Sequence, residues 1–177
     1  MSDSWQMIVG LDVGADRAID VIGTLAHDLC ARGIVAPDTT NDWEFVPGPR
    51  AADVVDPEWA AIQGFRPNNV VRLDLGHQVF ASNGNYEPPP CPTCDRAVEP
   101  DEHIRGIERW WATRIEPSLQ CNGCGYHAAM GDWAHHFSLY VGCVGISFMN
   151  WPPLTDVFLT ETGTRLSQRW RLIHSHI

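Results

Sequence analysis

Two short motifs, Cys91-Pro92-Thr93-Cys94 and Cys121-Asn122-Gly123-Cys124, constrain this chain more than any other feature of it. Each Cys-x-x-Cys turn can bring two sulfurs onto one ion, and two such turns supply the four soft ligands of a tetrahedral structural zinc. A turn of this kind needs a residue tolerant of positive φ near its second cysteine, so that backbone N–H groups can point at the sulfurs. Gly123 and Gly125 meet that need in the second pair, and Asp95, a residue type that tolerates the left-handed region, in the first. The spacing predicts one zinc ion per chain, bound by Cys91, Cys94, Cys121 and Cys124. Redox use of a Cys-x-x-Cys pair asks for a pair opening a helix directly after a strand, and neither pair clearly does so. Disulfides are disfavoured because Met1-Ser2-Asp3-Ser4 lacks the basic-then-apolar pattern of a secretory leader, which makes the cytoplasm the expected compartment. Cys30 and Cys143 have no partner close in sequence and read as small core residues.

Over residues 89 to 128 the chain resembles the four-cysteine zinc-ribbon modules, in which two knuckles at the tips of short hairpins clamp one ion. It departs from their compact form in one respect: 26 residues separate Cys94 from Cys121, against the ~15 to 20 of that pattern. Ile104, Ile107, Trp111 and Ile115 recur at helical spacing within the insert, so an amphipathic helix is expected between the knuckles.

Outside the ribbon the pattern predicts an α+β fold, a mixed or antiparallel sheet with an N-terminal helix, the whole forming a single domain over residues 1 to 177. A buried strand is expected at Gln6 to Val13, with Gly10 and Gly14 as turn glycines. A helix follows from Asp16 to Arg32 with Ile19, Ile22, Ala26 and Leu29 on one face and Gly33 as its cap. Residues 37 to 67 read as loops with a short helix near Glu58 to Gln63. Two strands, Val70 to Leu75 and Gln78 to Ser82, precede a tight turn at Asn83-Gly84. Trp133 to Trp151 reads as two strands or one strongly bent one, Pro152-Pro153 as the start of a short helix ending at Gly163, and Arg169 to Ile177 as a closing strand.

Function is less constrained. A formal net charge of −10 repels phosphate backbones, and all 12 basic residues are arginines. No run of residues approaches the ~18 apolar positions of a membrane span. The chain carries neither a Gly-x-Ser-x-Gly turn nor a His-Glu-x-x-His motif, which leans against an enzyme. His174 and His176 would share a strand face and could reach one ion, whereas the adjacent His135 and His136 would point to opposite sides; surface histidines without any ligand are the stronger reading. Trp110 and Trp111 cannot both face the core from one helix, so one belongs at an edge, beside Arg105 and Arg109. An arginine-covered, partly buried tryptophan is the plainer account of the same residues. The leading expectation is a non-enzymatic protein-interaction module of the adaptor or inhibitor kind, meeting a basic protein partner. A nucleic-acid-binding ribbon protein and an enzyme whose site the sequence does not reveal are the alternatives.

Overall fold

The computed structural model describes residues 3–39 and 41–176. Its centre is a six-stranded sheet in the order β2-β3-β4-β7-β1-β8. The strands are β1 (Ser4–Gly10), β2 (Val35–Pro37), β3 (Glu44–Pro47), β4 (Val70–Ala81), β7 (Leu139–Met149) and β8 (Trp170–His176). Every neighbouring pair is antiparallel. Four helices, α1 (Ala15–Ala31), α2 (Pro57–Gln63), α3 (Pro100–Thr113) and α4 (Asp156–Leu166), and a separate two-stranded ribbon of β5 (Ser118–Gln120) with β6 (His127–Ala129) complete an α+β architecture.

The apolar alternation of the strands separates two cores. Ile8, Val144, Ile146 and Phe148 project to the side covered by α1 and α4, where Ile22, Leu25, Leu29, Phe158 and Leu166 meet them. Met7, Val9, Leu11, Phe80, Tyr140 and Ile173 form a smaller cluster on the other side. The sheet curls over that cluster: the chain leaving β4 reaches β8, where the Ser175 hydroxyl donates to the Ser82 carbonyl at 3.0 Å and the Asn83 amide donates to the Ser175 hydroxyl at 3.1 Å. Glycine permits the curl, because a Cβ at Gly145 would lie 2.5 Å from the Phe80 ring. One buried side chain ties the sheet to the segment before α4. The Gln6 amide accepts from the Leu154 N–H at 2.8 Å and donates to the Pro152 carbonyl at 3.2 Å.

Several sequence expectations are corrected. Ile19 faces solvent, and the buried face of α1 is Ala18, Ile22, Leu25, Ala26 and Leu29. Gly10 is not a turn glycine: it lies within β1, where a Cβ would come 2.8 Å from Val144 Cγ1. The stretch 37–67 contains a strand, β3, which pairs with both β2 and β4. The two expected strands around residue 76 are one, β4, whose register against β7 shifts between Leu75 and Gln78 with Gly76 at φ +84°. The tight turn expected at Asn83-Gly84 does form, as a single 3-10 turn over Asn83–Asn85. Helix α4 does not stop at Gly163, which is needed inside it because the Trp170 ring lies where a Cβ would be, at 2.2 Å. Residue Ile177, placed in the closing strand by the sequence, lies outside the described residues.

Candidate metal centre

The two knuckles have the same backbone design. In the first, the Cys91 N–H donates to the Arg96 carbonyl and the Asp95 N–H returns to the Cys91 carbonyl, at 2.8 and 2.9 Å. In the second, the Cys121 N–H donates to the Tyr126 carbonyl and the Gly125 N–H to the Cys121 carbonyl, at the same two distances. Asp95 at φ 59° and Gly125 at φ 76° occupy the left-handed position each turn requires. Gly123 is not among the positive-φ residues. It is small for another reason: the Arg96 side chain crosses from the first knuckle and its Nε lies 3.0 Å from where a Cβ of Gly123 would stand.

These turns gather Cys91, Cys94, Cys121 and Cys124 so that all four sulfurs lie within 4.8 Å of one another. The Cys91–Cys124 and Cys94–Cys121 sulfurs are 3.6 and 3.5 Å apart. A tetrahedron of thiolates around an ion at ~2.3 Å has edges of ~3.8 Å, whereas a disulfide closes to ~2.05 Å, so the spacing fits a shared metal ion. Backbone N–H groups of Thr93 and Gly123 point at the sulfurs of Cys91 and Cys121, at 3.4 and 3.3 Å. Hydrogen bonds from the Cys124 and Gly123 backbone hold the Cys121 thiol down at about 6. The Tyr126 N–H favours a thiolate at Cys124, but desolvation and the three neighbouring sulfurs push that thiol up to about 12. Four sulfurs this close resist full ionisation together unless a cation sits among them. Arg96, which the sequence reading did not single out, adds a fixed positive charge beside the cluster; its position two residues past Cys94 is the only signal the sequence offers.

The centre is half sunk into the fold. Cys91 and Cys121 are buried and join the same apolar cluster as Val98, Trp110, Leu119 and the residues under α1, while Cys94 and Cys124 face solvent. Helix α3 rises between the knuckles, begun by Pro100 at its first turn and ended by Arg114 in the left-handed conformation. Its inner face carries Gly106, which lies against Met130, Leu119 and Pro117, and His103, whose Nδ1 meets the Tyr86 hydroxyl at 2.9 Å. Of the tryptophan pair, Trp110 points inward at 5% exposure and Trp111 outward at 46%. The Arg114 guanidinium covers the Trp111 ring at 4.8 Å. Arg105 and Arg109 are both held by Glu102, at 2.9 and 3.1 Å. Cys143 is buried in the main core and Cys30 half-buried, neither within the four-sulfur cluster. His135 turns toward Glu87, 3.4 Å away, and His136 toward His174. Among the described residues no helix is long and apolar enough to cross a membrane.

Comparison with protein-family models, with curated proteins and with solved structures finds no match to this chain.

Proposed function

We propose that the chain is a protein-interaction module in which one zinc ion fixes a ribbon that presents α3 to a basic protein partner. Zinc is the reading of the donor set: four thiolates in two knuckles, with sulfurs at tetrahedral spacing, form a closed site of the structural kind. The carrying observation is the outward side of α3. Ile104 and Trp111, seven residues apart and so on one helical face, are each 46% exposed, and Ile115 just beyond the cap is 71% exposed. Two large apolar residues on one side of a helix, with a third exposed just past its end, are the composition of a contact patch. Glu108 on the same helix is exposed and has no basic residue assigned to it in an ion pair, and the chain as a whole is strongly acidic, which favours a basic partner.

The arginines speak against the nucleic-acid alternative. Arg105 and Arg109 share the carboxylate of Glu102, Arg169 pairs with Glu116 and Asp132, and Arg165 with Asp28 and Glu161. Ion-paired in this way, these arginines present no clean basic face to phosphates. The test is a pull-down with the zinc-loaded chain at low and physiological salt, repeated with Trp111→Ser and with Trp43→Ser, an equally exposed tryptophan elsewhere. A partner that is basic, is weakened by salt and is lost only with Trp111→Ser supports the reading. Retention of every partner by Trp111→Ser refutes it, and salt-sensitive binding to random DNA or RNA that disappears with Arg105 and Arg109 replaced would install the alternative.

A further inference from the structure

A second cluster of metal-ligating side chains lies away from the thiolates, at the outer edge of β8. The His174 N–H donates to the His136 carbonyl at 2.8 Å, so the segment before β7 runs along the free edge of the last strand and the two residues stand side by side. Their rings meet edge to face, at 5.6 Å between centroids and 68° between planes. Two imidazoles that bind one ion through ring nitrogens at ~2.1 Å, with a near-tetrahedral angle between them, place their centroids roughly 5 to 6 Å apart. His176 follows two residues after His174, on the same side of the strand. His136 and His176 are exposed and His174 is half-buried, so an ion can enter.

We propose that His136 and His174, with His176 as a third ligand recruited by side-chain rotation, form an open site for a borderline divalent transition-metal ion. The chemistry of the donors decides the class of ion: neutral imidazoles suit Zn2+, Ni2+ and Cu2+ and discriminate against Mg2+ and Ca2+, which take oxygen. His135 is excluded from the set. Its Nδ1 accepts from the Phe137 N–H and its Nε2 faces Glu87, so that side chain is committed to the loop.

The site differs in kind from the thiolate centre. His136 borders a cavity of about 490 Å³ that also includes Asp156, Thr160 and Gln168, and His174 and His176 border another of about 300 Å³ that includes Trp59 and Gln63. An ion held by two or three imidazoles between these spaces keeps positions free for water or a small ligand, where a four-thiolate site keeps none.

The test uses the full chain already saturated at its thiolate centre, so that it stands whether or not the proposed interaction role holds. Titration with Zn2+ at pH 7.5 in a calorimeter should show one further equivalent. That equivalent should vanish in His136→Ala and in His174→Ala, weaken in His176→Ala, and be unchanged in His27→Ala, an exposed histidine on α1. The wild-type chain gives an arm that needs no substitution: paramagnetic Co2+ added to the zinc-saturated protein should broaden the imidazole resonances of His136 and His174 before those of His27 and His77. Absence of a further equivalent, or an equivalent that survives both His136→Ala and His174→Ala, overturns the proposal, as does Co2+ broadening that begins at other histidines.

Discussion

The imidazole of His103 should make the stability of this chain fall steeply with mild acid. It sits on the inner face of α3 with no exposed surface. Nδ1 is engaged with the Tyr86 hydroxyl, Nε2 lacks a well-formed partner, and the Leu139 backbone compensates only in part. Burial therefore drives its pKa from the ordinary 6.5 down to about 4. The unfolded chain binds a proton near pH 6.5 that the folded chain refuses until about pH 4, so the unfolded state carries more protons across that window and stability rises with pH there. Moving down from neutrality, the loss begins near pH 6.5, reaches about 2 kcal/mol at pH 5 and levels at about 3 kcal/mol below pH 4, at ~1.4 kcal/mol per pH unit. Other groups titrate in the same range, the metal ligands among them, so the measurement is a difference. Urea unfolding of the wild type and of His103→Gln, both metal-loaded, is followed from pH 7.5 to 5, and the stability of the first minus the second is plotted against pH. The reasoning predicts that the wild type loses about 2 kcal/mol more than the variant over this span. A difference that stays level would mean that His103 is protonated in the folded chain or reaches water, and would refute it.

Two further outcomes follow from packing around the same elements. Gly163→Ala should destabilise the chain by about 1 to 3 kcal/mol in denaturant unfolding, because the added methyl must displace the Trp170 ring that occupies its place at 2.2 Å; an unchanged midpoint would show that the ring moves freely. Cys94→Ser should remove the ion of the thiolate centre, one equivalent by elemental analysis, and raise amide hydrogen exchange over residues 89 to 128 before the sheet opens, since Cys94 is exposed while β4, β7 and β1 hold the larger core. Simultaneous exchange of β7 would show that the ion organises the whole core, into which Cys91, Trp110 and Cys121 already reach.

The parts of this structure that could be read from sequence are those whose determinants are local. A Cys-x-x-Cys turn with a left-handed residue after it is specified by five or six neighbours, and both knuckles form where the spacing places them. Helix α3 forms where its periodicity places it, but the apolar face read there, Ile104 and Trp111, turns outward while His103, Gly106 and Trp110 turn inward, and Ile115 lies past its end. Features set by distant partners were not legible. Gly163 looks like a helix terminator until Trp170 is known to lie across it. Strand β3 is hidden in a loop-like composition because its partners, β2 and β4, lie on either side of it in the chain and supply the pairing that its own residues do not advertise. The same argument applies to the histidines. Strand periodicity puts His174 beside His176, but His136 is 38 residues earlier and reaches them only because its carbonyl closes the outer edge of β8. The covering of an exposed edge, a device that protects a sheet from unwanted pairing, is thus also what brings the imidazoles of His136 and His174 together. Weakening that edge, and not only removing a ring, should separate the two.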